Sequence, residues 1–346
     1  MSLKKRKITR LLLAIVMLAP LMANADKKKK LAVDKVEGSL SVLVLGSGGP
    51  SAISSGRAGS GFLIFVDGKP RVMMDMGAGT FKSLALSGAS IPNLDRFLLT
   101  HLHLDHTADM SAMVKSIFFH NSAAGTFRTA VFNFYGPKSN GIPFPPAPPL
   151  ADGAGIPQFP DVSEYIDGHY NIKTGLERYL NAFSLGTKTG VFKYTATDLP
   201  SDFKSNKITT VFTDADGLVV KSIAVSHGPV PAVAYRIEYH DKSIVWSGDT
   251  RSLTDNMVKL ASGADLLIYD TAIMADSPPP GTIFHSLHTV PSRIAEVAEK
   301  AKPKTVLLSH ITSAVEPRLD EVKSIVRNSG FSGRIKVAKD LMVINL

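Results

Sequence analysis

Apolar residues in this chain fall into short, nearly unbroken runs with helical stretches between them. Runs at 40–45, 97–99, 218–226, 232–238, 243–247, 266–269 and 305–309 read as buried strands. Residues 62–66 and 71–75 flank Asp67-Gly68-Lys69-Pro70, which is a hairpin signal. Residues 131–135 predict a further strand, and 341–346 a last one that closes a sheet. Helical spacing appears at Met110, Met113, Val114, Ile117 and Phe118. It appears again at 253–261, at 291–300, and at 317–327, where Leu319, Val322, Ile325 and Val326 face one side. A short helix is predicted over 80–87, closed by Gly88. Two halves, each with strands followed by helices, predict an α/β fold: an αββα sandwich of two packed mixed sheets with helices outside.

The pattern breaks in the middle. Seven of the nineteen residues from 142 to 160 are proline, which argues against regular structure there. Tyr and Phe are scattered from that point to about Asp216. Residues 138–216 therefore read as an insertion lying over one end of the fold, within a single domain over 26–346.

The N-terminus has its own pattern. Lys4, Lys5, Arg6, Lys7 and Arg10 precede an apolar run of 11 residues at 11–21, too short to span a bilayer. Ala23-Asn24-Ala25 fits a small-x-small cleavage site, so residues 1–25 read as a signal peptide. The expected location is periplasmic or secreted, with no stable membrane anchor. The chain has no cysteine, which excludes a lipid-modified cysteine and disulfides. The formal charge is +9 over 346 residues, but five of those cations lie in the signal segment. The remainder is near +4, and Lys27 to Lys30 account for that. A near-neutral body argues against polyanion binding as the main task.

The chemistry concentrates in Thr100-His101-Leu102-His103-Leu104-Asp105-His106, directly after the run at 97–99. Two residues apart on extended backbone, His101 and His103 point the same way. Asp105 and His106 follow where a helix begins. Three imidazoles and a carboxylate would be costly to bury without a cation. Neutral imidazole and carboxylate suit Zn(II), and this spacing suits two ions side by side.

The string resembles the His-x-His-x-Asp-His signature of the metallo-β-lactamase superfamily. That resemblance implies further ligands at distant strand ends. His227 ends Ile223-Ala224-Val225-Ser226, Asp249 follows Val245-Trp246-Ser247-Gly248, and His310 ends Val306-Leu307-Leu308-Ser309. The implied set gives one metal His101, His103 and His227. The other takes Asp105, His106 and His310, and Asp249 bridges the two. Asp75 is implied as a buried carboxylate that orients ligands. In His288-Thr289-Val290-Pro291 the histidine matches a position near the leaving group. It is expected to act as general acid or as a clamp on an anionic substrate, with His285 as the alternative. His240 reads as a surface residue; His120 and His169 could reach the pocket or be structural.

Within the superfamily, Ala108-Asp109, Phe118-Phe119, Tyr135-Gly136-Pro137 and His227-Gly228-Pro229-Val230-Pro231-Ala232 resemble the arylsulfatase-type group. The His-then-Tyr235-Arg236 pattern resembles ribonuclease Z-like members. The leading expectation is an exported dinuclear zinc hydrolase of sulfate or phosphate esters, with Mn or Fe as alternative metals. A hydroxide bridging the metals is the implied nucleophile, with Asp105 and His288 as catalytic groups. The alternatives are a phosphodiesterase or ribonuclease Z-like enzyme, a lactone hydrolase, or a metal-dependent binding protein without turnover. The expected partner is a small anionic ester; nucleic acid is judged an unlikely partner, and the oligomeric state stays open, a dimer included.

Overall fold

The computed structural model of this chain describes residues 31–123, 131–143, 158–171, 173–183 and 192–346. Residues 1–25, read above as a signal peptide, lie outside the described residues.

The chain builds two seven-stranded sheets. The first is made of β1 (Leu40–Gly46), β2 (Gly61–Val66), β3 (Lys69–Met74), β4 (Arg96–Leu98), β5 (Phe132–Pro137) and β6 (Tyr194–Leu199). The second holds β7 (Thr209–Thr213), β8 (Val219–His227), β9 (Val230–Tyr239), β10 (Lys242–Trp246), β11 (Leu266–Asp270), β12 (Thr305–Ser309) and β13 (Arg334–Val337). The last strand, β14 (Val343–Asn345), returns to the first sheet beside β1. Both sheets begin antiparallel and become parallel, at β3–β4 in one and at β10–β11 in the other. They are the two mixed sheets that the sequence predicts.

Helices fill the crossovers. They are α1 (Thr80–Ser87), α2 (Leu104–Thr107), α3 (Met110–Ala123), α4 (Val162–Tyr170), α5 (Glu177–Phe183), α6 (Asn256–Ala261), α7 (Phe284–Leu287), α8 (Pro291–Ala301) and α9 (Leu319–Asn328). Pro291 opens α8, where its missing N–H costs nothing. Among the described residues no helix is long and apolar enough to cross a membrane.

The unbroken apolar runs now have a cause. In β1, Leu40, Val42 and Val44 join the layer between the sheets, while Leu43 and Leu45 face the helices outside. Likewise Leu266 and Ile268 of β11 face inward, and Leu267 and Tyr269 pack under the outer helices. A strand covered on both faces has no polar side to show.

The stretch read as an insertion carries regular elements of its own. Residues 138–216 contain α4, α5, β6 and β7, and the two strands are edges of the two sheets. Most of the Pro-rich stretch lies outside the described residues. Edge strands escaped notice because they are half wet: β6 alternates between half-buried and exposed positions and carries Thr and Asp. The same holds for β13, another edge strand. Helix α6 starts later than 253, since Leu253 is exposed and Ser252 has a left-handed backbone.

Leu307 is fully buried between the sheets, whereas Leu86 on α1 is 55% exposed. Leu307→Ala should cost about 2–5 kcal/mol in urea unfolding, through lost burial and a cavity. Leu86→Ala should stay within about 0.5 kcal/mol. Equal losses would contradict the two-layer packing.

Candidate metal centre

All the predicted ligands gather at one edge of the sandwich. Strands β1, β3, β4, β8, β10, β11 and β12 all run toward it, because each antiparallel step is undone by the next. Asp75 follows β3, and His101 and His103 follow β4. His227 ends β8, Asp249 follows β10, Asp270 ends β11, and His310 follows β12. Strand carboxyl ends are where α/β sheets present functional groups.

Donor atoms fall into overlapping groups, each within 4.8 Å: His101, His103, His227 and Asp249; Asp105, His106, Asp249 and His310; and Asp249, Asp270, His288 and His310. His103 Nδ1 lies 3.0 Å from His101 Nε2 and 3.4 Å from His227 Nε2. Asp249 Oδ1 is 3.2 Å from His106 Nε2, and Oδ2 is 3.3 Å from His310 Nε2 and 3.8 Å from His101 Nε2. Asp105 Oδ2 stands 3.0 Å from His310 Nε2. His101, His106, His227 and His310 are almost wholly buried.

The opposite ring nitrogens are held from behind. Nδ1 of His106 donates to Asp75 Oδ2 at 2.9 Å, and Nδ1 of His227 donates to the Leu287 carbonyl at 2.7 Å. His310 Nδ1 faces Asp270 Oδ1 at 3.4 Å. The two hydrogen bonds turn Nε2 of His106 and of His227 into the site. Asp75 also accepts from the Thr100 N–H, the Thr100 hydroxyl and Trp246 Nε1, at 2.8, 2.9 and 2.9 Å. It has a left-handed backbone (φ +53°), as does His310 (φ +58°). Such strain persists where surrounding structure enforces it.

Two glycines let the backbone come close. A Cβ on Gly49 would sit 2.9 Å from the His310 ring, and one on Gly77 would sit 1.9 Å from the Asp105 carbonyl oxygen. The Gly46–Pro50 turn therefore packs directly on the site.

Electrostatics divides the centre. Burial holds His101 and His103 below the ordinary imidazole range and His227 down at about 3. Around His310 burial acts the same way, but Asp249, Asp105 and Asp270 outweigh it and raise the group to about 10. His106 is raised well above its usual value, against burial, by Asp249, Asp105 and Asp75. Asp105 falls to about 2 despite burial, beside His106 and His310. The buried carboxylates demand positive charge here, which protons or metal ions must supply. His106 Nε2 and Asp249 Oδ1 are buried without a hydrogen-bond partner in the protein. Facing each other in a set of imidazoles and carboxylates, they fit a divalent metal.

His288 is 3% exposed, and its Nδ1 donates to Asp270 Oδ2 at 2.9 Å. Burial lowers its affinity for a proton, but Asp270 more than offsets that and raises it. With His103, Asp105 and Asp249, His288 lines a cavity of about 370 Å³. His285 instead meets the Pro278 carbonyl at 2.9 Å, so it is held in its own turn. Asp270 is the residue sequence reasoning missed. Its signal is a carboxylate ending the apolar run beside the strand of Asp249. His240 is exposed, as expected. His169 packs against Tyr165 with tilted rings, 4.4 Å between centroids, and with Nδ1 on the Tyr165 carbonyl. The His120 side chain lies outside the described residues.

Residues 163–311 match the beta-lactamase superfamily domain, and residues 40–130 match the anti-Pycsar protein Apyc1 family. Ribonuclease Z of Mycobacterium bovis is 26% identical over 309 residues, spanning 87% of this chain and 96% of that protein. The metallo-β-lactamase fold protein YhfI of Bacillus subtilis superposes with a TM-score of 0.60 at 20% identity, over 88% of this chain and 98% of its own. Human tRNase Z, short form, gives 0.59 at 19% identity, over 88% and 98%. The match to ribonuclease Z, which spans nearly that protein's whole length, overturns the expectation against nucleic acid. That expectation relied on export, on the lack of a basic arm and on average charge, and average charge says nothing about a local site where metals would supply the cations. The chain carries a metallo-β-lactamase superfamily domain with ribonuclease Z homologues, which support the ribonuclease Z-like branch and a metal-dependent hydrolase of esters.

Proposed function

We propose that this chain is a dinuclear zinc phosphodiesterase acting on nucleotide phosphodiesters, RNA included. The observation that carries this reading is Asp249, which is common to all three donor groups. One carboxylate offering an oxygen to each side suits two ions held side by side, not one. His101, His103 and His227 would hold the first, and Asp105, His106 and His310 the second. Two ions bound there would supply Lewis acidity toward phosphoryl oxygens and a nucleophile at neutral pH.

The protein's own contribution is orientation and a proton. Asp75 and Asp270 aim the histidines behind which they sit. Asp270 also engages His288 Nδ1, which leaves Nε2 of a protonated imidazole to donate to a departing oxygen.

Phosphodiesters are preferred over sulfate esters because the relatives are ribonucleases Z. The His227-Gly228-Pro229 string has a structural explanation of its own: it turns the chain between β8 and β9, with Gly228 at φ +58°. The same proposal has the chain exported, on its basic-then-apolar start. N-terminal sequencing of protein from the periplasm or medium should then begin at Asp26; retention of Met1 in the cytoplasm would remove export from the reading.

Elemental analysis of the zinc-loaded protein should give two ions per chain. Asp249→Ala should lose metal and nearly all activity, while His240→Ala should be silent. Equal behaviour of the two variants would refute the shared-carboxylate reading.

His288→Ala should keep its metal and lose turnover by roughly 10²–10⁴-fold, less for esters with good leaving groups. Activity that needs protonated His288 is lost as pH rises through its pKa. Asp270 raises that pKa, so Asp270→Asn should move the basic limb of the kcat profile to lower pH. An unmoved limb would separate Asp270 from the proton donor.

A further inference from the structure

The cavity over the metal centre has a chemically divided wall. Its floor is His103, Asp105, Asp249 and His288, and its mouth is Pro50, Leu104, Phe284 and Leu287. No lysine or arginine lines it among the described residues. Leu104 lies between two candidate ligands on the first turn of α2, where His106 turns inward and Leu104 turns out. At 72% exposure it is the most exposed large apolar side chain among the described residues. Phe284 on α7 is 41% exposed, and its neighbour Ile283 is 55% exposed. Isolated exposed leucines need no explanation, but exposed apolar residues gathered around one cleft mark a binding groove.

We infer that Leu104 and Phe284 form a pinch for the nucleobase adjacent to the scissile phosphate. This rests on the phosphodiesterase reading above. The metals would hold the anion, so the mouth is left to recognise the organic part of the ester. A flat, largely apolar group suits an open aromatic face and an aliphatic side chain better than a hydrated sugar or a second phosphate does. At about 370 Å³ the cavity is at the small end of ligand sites, with room for one nucleotide-sized group. With no lysine or arginine among its described lining residues, the mouth offers further phosphates no fixed charge. The pinch is held in place by the site itself. Leu287 follows Phe284 on α7, and its carbonyl accepts from His227 Nδ1. Movement of α7 would therefore disturb a candidate ligand.

Calorimetric binding of adenosine 5′-monophosphate, ribose 5-phosphate and inorganic phosphate to the zinc-loaded protein tests this. The nucleotide should bind at least about tenfold more tightly than the sugar phosphate, as stacking of one base implies. Phe284→Ala should reduce that ratio to within about twofold, Leu104→Ala should reduce it severalfold, and Phe284→Tyr should preserve it. Both Ala variants should keep the affinity for inorganic phosphate. A short oligoribonucleotide with a terminal adenosine, compared with its abasic form, separates a chain end from a free nucleotide as the source of the base. Equal binding with and without the base in both pairs would overturn the pinch. So would a full preference surviving Phe284→Ala. A zinc-loaded protein that hydrolyses no phosphodiester would instead overturn the underlying reading, and the pinch with it.

Discussion

Asp75 ties the two sheets together at the edge where the chemistry gathers. It follows β3 of the first sheet, yet it accepts from Trp246 of the second. It also takes both the backbone N–H and the hydroxyl of Thr100 and the Nδ1–H of His106. A buried carboxylate without such donors would be costly; with four it is a rigid junction. Around it, the Thr100 carbonyl accepts from Val233 and the Leu99 carbonyl accepts from the Tyr235 hydroxyl. These bonds fix the height of the β4 end against the second sheet. Without that, the ligands from the two sheets would not meet.

Meeting is what the centre requires, because each of the two proposed metal sets draws on both sheets. The first sheet contributes His101, His103, Asp105 and His106. The second contributes His227, Asp249, Asp270, His288 and His310. The repeated strand pattern, antiparallel then parallel, brings the carboxyl ends of both sheets to one edge. The site then depends on packing of the apolar layer between the sheets, in which Phe62 lies against Trp246 with centroids 5.0 Å apart.

Much of this was legible. Strands buried on both faces announce themselves as apolar runs, and ligands sit where such runs stop. The His101–His106 string, His227, Asp249 and His310 all obey that rule. What was illegible lay at edges. Strands β6, β7 and β13 bury too little to show a period, so a stretch containing two of them read as an insertion. Asp270 was missed for a related reason. The run at 266–269 was ended one residue early, and a single carboxylate after a strand carries no motif. Its role comes from facing His288 and His310, which lie 18 and 40 positions further along the chain. Leu104 and Phe284 were equally silent, since exposure is not written in a residue type.

The division of charge within the centre gives the two proposed metal sets different starting states. On one side, burial keeps His101, His103 and His227 neutral, so their lone pairs are available at ordinary pH. On the other, the carboxylates of Asp105, Asp249 and Asp270 draw protons onto His106 and His310. A cation entering the first side displaces no proton. One entering the second must displace them, and it gains two carboxylates in exchange. Asp249 belongs to both sides, so a cation on the first side also weakens its hold on the protons of the second. Filling the second side would therefore release protons, and Asp249 links that release to whatever binds on the first.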